Sequence, residues 1–417
     1  MNSPAPIYLD NNSTTPIHPE VAEAILRAAT DLVGNPASQH SLGRKSRRVL
    51  EEAREGIVSL LGGKTGGMDA DRLIFTSGGT EANQLAIRGL VECGAQSAEC
   101  RVEVRGREIS VSNLKSQISN PVAPTQPPNI VVSSIEHPSA LGAAESTARS
   151  GCEVRRLAAN ENGAVDAARL GDLLDDRTLL VSVMLANNET GVLQPVESLA
   201  RTCAAKSIPF HTDAIQAVGK IPVNFRELGI TAMSVAPHKF HGPLGIGGLL
   251  LQHDAKLQPL FQGGFQQGGL RPGTESAALA VGFYTALVLA DRELAERQTR
   301  MTALRENLET LLLVGAPGAV IIGATSPRLP TTTCIAFPGI NRQALVMALD
   351  MAGVACSTGS ACASGSSEPS ATLVAMGLPQ DQIESAIRLS LNALTTAAEV
   401  SEGAQRILKC VNHLRRR

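Results

Sequence analysis

The chain has 417 residues, a formal net charge of −2 and 43% apolar residues, enough for a large core and without the basic excess of a nucleic-acid binder. Aromatic residues make up only 2%, with no Trp, 2 Tyr and 8 Phe. That excludes an aromatic stacking platform for single-stranded nucleic acid, and equally an aromatic cage for a quaternary ammonium.

The N-terminus, Met1-Asn2-Ser3-Pro4-Ala5-Pro6, lacks the basic and apolar stretches of a secretory leader, and no apolar run reaches the ~20 residues of a membrane span. The eight cysteines therefore read as free thiols in a reducing compartment, and a cytoplasmic location is expected. Pro19 opens a helix with Val21, Ala24, Ile25, Ala28 and Leu32 on one face. A second helix runs from about Lys45 to Leu61. It ends in Gly62-Gly63-Lys64-Thr65, which lacks the first glycine of a phosphate-binding P-loop (Val58 stands there) and reads as a helix cap and loop.

Short apolar runs follow at Leu73–Thr76, Ile130–Val132, Leu179–Val183, Ile208–Phe210 and Gly248–Leu251, with helical stretches between most of them. Such a pattern predicts an α/β protein with a mainly parallel central sheet covered by helices. Residues 92–129 interrupt it with a polar, proline-rich stretch expected to be an inserted surface excursion, either a hairpin across Arg101–Val111 or a mobile segment. After Thr274 a long helical pattern reaches Leu313. Thr332–Phe337, a helix near Arg342–Met351 and Ala386–Leu391 then predict a smaller α+β domain. The expected division is 17–275 for the large domain and 1–16 with 276–417 for the small one.

Several segments carry chemistry. Ser77-Gly78-Gly79-Thr80-Glu81-Ala82-Asn83 follows a strand and opens a helix; its backbone N–H groups and the Thr80 hydroxyl suit an anion, and the same pattern serves a plain turn capped by Thr80. His211-Thr212-Asp213-Ala214-Ile215-Gln216 sets Asp213 just past a buried strand, where open α/β sheets bind ligands; a carboxylate there holds a protonated ring nitrogen or caps the turn. Lys239 follows His238 and precedes the Gly-rich run Gly242–Gly248. In low-dielectric surroundings such a lysine forms Schiff bases; at the surface it is an ordinary cation. No cysteine or carboxylate cluster stands beside His238 and His241, so no metal site is expected. Gly359–Ser367 is too polar and glycine-rich for a core, and its Cys362 suits an exposed thiolate nucleophile. Cys356 reads as a small buried hydrophobe, with a resolving thiol as the alternative.

Glu136-His137-Pro138, Ala186-Asn187-Asn188-Glu189 and Arg271-Pro272-Gly273-Thr274 join these in order, with Leu9-Asp10-Asn11-Asn12-Ser13-Thr14-Thr15-Pro16 before them and Arg388-Leu389-Ser390-Leu391 after. The set resembles the NifS/IscS-type cysteine desulfurases, class V aminotransferase-like enzymes that use pyridoxal phosphate (PLP), over the whole chain except 92–129. The resemblance implies the fold type I of PLP-dependent transferases. It makes Lys239 the residue that bonds covalently to PLP and Asp213 the partner of the ring nitrogen. Gln216 becomes the donor to the ring's phenolic oxygen, and His137 the ring-stacking acid/base. Asn188 contacts cofactor or substrate. Gly79, Thr80 and His238 hold the phosphate, and Thr274 reaches the phosphate of a neighbouring subunit, which implies a homodimer. Arg388 clamps the carboxylate of L-cysteine. Cys362 takes its sulfur as a persulfide for an acceptor protein of iron–sulfur cluster assembly or thiolation. No intrinsic metal, nucleic acid or membrane contact is implied, and Cys362 is the residue available to an acceptor's iron–sulfur cluster.

Two departures from the family pattern concern single residues. Ala236-Pro237 replaces Ser-Gly before His238, removing a hydroxyl and an N–H from the expected phosphate site, and Asn392 replaces a glycine after Leu391. The alternatives to desulfuration are selenocysteine lysis, cysteine sulfinate desulfination, or a PLP-bearing scaffold without turnover.

Overall fold

The computed structural model describes residues 6–103, 126–359 and 368–416. The elements begin with β1 (Ile7–Tyr8), α1 (Pro19–Asp31), α2 (Ser41–Leu60), β2 (Arg72–Thr76), α3 (Gly79–Glu103) and β3 (Asn129–Ser133). They continue with α4 (Pro138–Arg149), β4 (Glu153–Leu157), α5 (Leu170–Leu173), β5 (Thr178–Ser182), α6 (Val196–Ala204), β6 (Phe210–Asp213), β7 (Ala232–Val235) and β8 (Gly247–Leu251). The C-terminal part holds α7 (Ala277–Arg292), α8 (Leu294–Gly315), β9 (Val320–Ile321), β10 (Thr332–Ala336), α9 (Arg342–Met351) and β11 (Val354–Ala355), then α10 (Ala371–Ala375), α11 (Gln380–Ser385), β12 (Ala386–Ser390) and α12 (Ala397–Arg415).

A seven-stranded sheet of order β2-β8-β7-β6-β5-β3-β4 forms the centre. The neighbours β4/β3, β3/β5, β5/β6 and β6/β7 are parallel, and β8 runs antiparallel to both β7 and β2. Every residue of β3, β6, β7 and β8 is buried, as expected of strands covered on both faces. One apolar cluster joins α1, α2 and α7 to one face through Val21, Leu50, Ile57 and Phe283; another joins α3 and α4 to the other through Leu85, Ile87, Ala140 and Ala144. A third cluster (Ile7, Leu9, Ile335, Leu345, Ile387, Ile407) sits around the separate antiparallel sheet β12-β10-β9 and the parallel pair β1/β11.

Helix α1 starts at Pro19 as expected, whereas α2 starts at Ser41, four residues before the expected Lys45, because its cap is a histidine. His18 and His40 cap α1 and α2 by accepting from Glu20 N and Gly43 N. The glycine run after α2 is a helix cap and loop, as expected, with Gly62 at φ 75°. Three differences stand out. The strand predicted over Ile208–Phe210 begins only at Phe210, since Pro209 has no N–H to give a ladder. Two strands of the central sheet escaped prediction, β4, an edge strand with exposed charges, and β7, whose Ala-Met-Ser-Val lacks a β-branched run, as did the two-residue strands β1 and β9. Helix α3 continues through Arg101–Glu103, which corrects the hairpin expected to start at Arg101; residues 104–125 lie outside the described residues.

Candidate active site

Strands β2, β3, β5, β6 and β7 all release the chain at the same edge of the central sheet, the edge where open α/β sheets hold ligands. The turns there supply Gly78-Gly79, Glu136-His137, Ala186–Glu189, Asp213 and Ala236–Lys239. Gly78 is brought against the start of β8 so closely that a Cβ on Gly247 would meet the Gly78 backbone at 2.6 Å. Helix α3 starts at Gly79, so Thr80 lies inside the first turn and is not its cap. The side chain of Glu81 folds back to accept from Ser77 N at 2.6 Å.

Asp213 ends β6, 4% exposed, with Oδ1 accepting from Ile215 N at 3.0 Å and Oδ2 from Asn83 Nδ2 at 2.7 Å. The second Asn83 proton goes to Ser139 Oγ at 2.9 Å, and Ser139 Oγ lies 2.7 Å from His137 Nδ1. A continuous chain thus links Asp213 to His137. His137 Nδ1 also accepts from Ser139 N at 3.1 Å, so in the neutral imidazole the proton sits on Nε2. Burial pushes the His137 pKa down, against the pull of Asp213 and with the push of Lys239 and Arg388, so the ring is neutral at pH 7. Under this turn, His211 is fixed between Ser182 Oγ and Ser234 Oγ, both at 2.9 Å, and burial drives it down to about 3. Glu136 accepts from Ser133 Oγ at 2.5 Å and Met184 N at 2.7 Å, its other oxygen is buried without a partner, and burial raises its pKa to about 8.

Lys239 closes a short 3₁₀ turn, Pro237–Lys239, after β7. Its Nζ donates to the carbonyls of Asn12 and Ser13 at 2.6 and 2.7 Å. The Asn12 carbonyl also accepts from Gln216 Nε2 at 2.9 Å, and Lys220 Nζ donates to Asn12 Oδ1 (3.1 Å) and Gln216 Oε1 (2.7 Å). The Gln216 amide is therefore held in one orientation. His238 Nδ1 lies 3.2 Å from Thr14 Oγ1, and the His238 carbonyl accepts from Thr15 N at 2.9 Å. His241 Nδ1 donates to the Pro16 carbonyl at 2.8 Å. The N-terminal segment is thus stitched across the Lys239 turn.

Arg388, in the middle of β12, is 2% exposed. Its Nη1 donates to the carbonyls of Asn188 (3.0 Å) and Gly359 (2.9 Å) and its Nη2 to Asp10 Oδ1 (2.7 Å) and Ser13 Oγ (2.9 Å). Gly359 has φ 112° and no room for a Cβ, which would strike Glu189 Oε2. Cys362 lies outside the described residues, yet both flanks of its loop are anchored, Gly359 by Arg388 and the Glu368 carbonyl by Arg342 Nη2 at 2.6 Å. Burial, with Asp10 beside it, pushes Cys356 up to about 12, which matches the small-hydrophobe reading of that residue. Thr274 is exposed on the loop before α7, and none of the bonds described above reaches it. Of the expected site residues, the structure brings together His137, Asn188, Asp213, Gln216, His238, Lys239 and Arg388, with Gly79 and Thr80 on the adjoining turn.

The donor set fits PLP. There is a primary amine, a buried carboxylate fixed on both oxygens, and a helix N-terminus whose first N–H groups have no intrahelical partner. A Cβ on Gly79 would strike Ile215 Cδ1, which keeps that turn bare, and it would stand 3.6 Å from the methyl of fully buried Ala236. Ala236 thus places a methyl where the family pattern has a hydroxyl. Asn392 has an evident role instead: Nδ2 donates to Asn11 Oδ1 at 2.6 Å, and Oδ1 accepts from Leu394 N at 2.6 Å. Sequence patterns gave no role to Asn12 and Asn83, although both stand in the quoted motifs, and did not single out Ser139 and Lys220 at all.

The class V aminotransferase family matches residues 7–101 and 116–402. The chain belongs to that family. Within it, a cysteine desulfurase of Enterobacter agglomerans is 38% identical over 409 residues, covering 98% of this chain and 93% of the relative. The NifS cysteine desulfurase of Azotobacter vinelandii is 36% identical over 411 residues, covering 99% and 94%. The X-ray structure of a NifS-like protein from Rickettsia africae superposes with a TM-score of 0.82 at 28% identity, covering 98% of this chain and 99% of that one. The chain is a member of the NifS/IscS-type cysteine desulfurases, which are PLP-dependent enzymes of fold type I.

Proposed function

We propose that this enzyme converts L-cysteine to L-alanine and holds the released sulfur as a persulfide on Cys362 for an acceptor of iron–sulfur cluster assembly or thiolation. The observation that supports this most directly is the convergence of Lys239, Asp213 and His137 at one end of the central sheet, with Arg388 of β12 near enough to act on the His137 charge; Asn83 and Ser139 link Asp213 to His137, and Ser13 links Lys239 to Arg388. PLP, when bound, supplies an electron sink for the bonds around the substrate Cα.

Lys239 would supply the amine that holds the cofactor covalently. Asp213, held by Asn83 and Ile215 N, keeps a carboxylate for the ring nitrogen, and Gln216 presents its amide N–H. His137, neutral with Nε2 protonated, would stack on the ring and move protons at the substrate. Arg388 binds the substrate carboxylate, with Asn188 beside it. Gly79, Thr80 and His238 hold the phosphate from one subunit and Thr274 from its partner, so a homodimer with shared sites is part of the proposal. The Cys362 thiolate attacks the substrate sulfur, an S–S bond forms, the C–S bond breaks, and its electron pair stays on the substrate carbon, which takes a proton to become the methyl of alanine. The division into 17–275 and 1–16 with 276–417 is supported by the separate apolar cluster of Ile7, Leu9, Ile335 and Ile387, although α7 packs on α1 and α2. Persulfide chemistry needs a reducing compartment, which supports a cytoplasmic location. Among the described residues no helix is long and apolar enough to cross a membrane.

The test is the yield of alanine and sulfide from L-cysteine with and without a thiol reductant. Equal alanine and sulfide, with turnover strongly dependent on reductant and lost in Cys362→Ala, is the expected result. Undiminished turnover in that variant overturns the persulfide step.

A further inference from the structure

Arg388 is the proposed clamp for the substrate carboxylate, but its own bonds leave it little to clamp with. A guanidinium has five N–H donors. All four on Nη1 and Nη2 are engaged, by the carbonyls of Asn188 and Gly359, the carboxylate of Asp10 and the hydroxyl of Ser13. Only Nε, buried and without a partner, remains. A two-point grip on a carboxylate needs two parallel N–H groups, so one existing partner has to yield.

Two of the four acceptors are main-chain carbonyls tied into the fold. The Asn188 carbonyl also receives Asn12 Nδ2 at 3.1 Å, and Gly359 is itself tied back by its N–H donating to Ser357 Oγ at 3.3 Å. The other two come from the N-terminal segment and share Nη2. Asp10 is the more exposed end of its ion pair, 20% against 2% for Arg388, and its carboxylate is the same chemical group as the one the substrate brings. Glu189 also faces Arg388, but burial raises its pKa and its oxygen is taken by Ser370 Oγ at 2.6 Å, so it does not serve as the mobile partner.

We infer that Asp10 is a built-in counter-ion of Arg388 that the substrate carboxylate displaces, taking Nε and the freed Nη2 proton together. Asp10 is then a specificity-determining residue: it keeps the buried cation paired between turnovers, and admits only ligands whose own negative charge replaces it. Neutral ligands cannot make that exchange. The cost is a weaker apparent affinity for carboxylates, since the binding-competent arrangement is populated only part of the time. This inference rests on the desulfurase reading for the identity of the carboxylate, not for the exchange itself.

The test is calorimetric titration of the holoenzyme with propionate, the alanine skeleton without its amine, and with propionamide as the neutral counterpart. Neither titration needs turnover. Asp10→Asn should bind propionate roughly 5- to 20-fold more tightly than the parent, with propionamide unchanged and Asp10→Glu restoring the parent value. Asp10→Ala, which removes the acceptor altogether, should move the same way, and thermal unfolding checks that each variant is folded. Weaker or unchanged propionate binding in both Asp10→Asn and Asp10→Ala, or an equal change for propionamide, overturns the exchange. Failure of the parent to consume L-cysteine overturns the desulfurase reading alone.

Discussion

His137 combines two jobs in one ring. Nδ1 accepts from Ser139 N to cap α4, which places the proton of the neutral ring on Nε2. With no Trp and only 2 Tyr in the chain, an imidazole is the stacking group at hand. His137→Phe keeps a flat ring but loses the proton. Turnover should fall by ~10²–10⁴ while the absorbance of bound PLP is largely retained, and the lost cap should lower stability by about 1 kcal/mol. Loss of cofactor and activity together would mean that His137 matters for binding and not for proton transfer. The residues that hold this apparatus in place were less legible than the apparatus. His137, Asp213 and Lys239 announce themselves by chemistry and by standing next to glycines and strand ends. Asn83 and Lys220 do not, because a buried amide or amine becomes meaningful only when its partners, 130 residues away in the case of Asp213, are known.

At the scale of elements, the open edge of the central sheet is closed by a side chain. Gln267, in the left-handed region at φ 50°, accepts from Phe75 N at 2.6 Å and donates to the Phe75 carbonyl at 2.9 Å, extending β2 by one residue's worth of pairing. Its Oε1 also accepts from Arg54 Nη1 at 3.0 Å, and Arg54 lies 4.5 Å over the Phe75 ring. Gln267→Ala strands both backbone groups, which predicts a loss of ~1–3 kcal/mol in urea unfolding. A loss under ~0.5 kcal/mol would show that water satisfies the edge as well. Strand positions were readable wherever an apolar run sat in the sheet's interior. The charged edge strand β4 was not, since half of its residues face solvent and carry no strand signature.

For the whole molecule, the buried titratable groups set a pH dependence. Burial holds His211 at about 3 and His238 and His241 at about 4. Each folded value lies below the unfolded ~6.5, so the native state binds fewer protons and stability is lost as pH falls from ~6.5 toward ~4. Glu136 works the other way: its folded value of about 8 exceeds the unfolded ~4.3, so its contribution is full at acid pH and is lost as pH rises. Four histidines, with His137 also lowered by burial, against Glu136 and the likewise raised Glu189 make the urea midpoint of the cofactor-free protein lower at pH 4.5 than at pH 6.5. Glu136→Gln places an amide where the unpartnered oxygen stands and removes its part of the opposing contribution. That variant should be more stable than the parent at pH 7.5, and its midpoint should fall further on acidification. A parent midpoint that is flat or rising toward acid would contradict the burial of neutral histidines.

The alternation of apolar strands with helices, the Pro19 start of α1 and the glycine-bounded turns carrying Lys239, Asp213 and His137 follow from the sequence by itself, because each depends on residues within a few positions of one another. The same holds for membership of the PLP enzymes, whose chemistry-bearing motifs are local. The convergence of those motifs is decided only by the tertiary structure. Arg388 meets Asp10 across 378 positions, and Lys239 reaches Asn12 across 227. Apolar periodicity says which face of an element is buried, but not which element it will meet. A polar side chain that must find its partner after burial leaves no periodic trace, so the pairing of Arg388 with Asp10 and Ser13, and the exchange inferred from it, exist only in the folded chain.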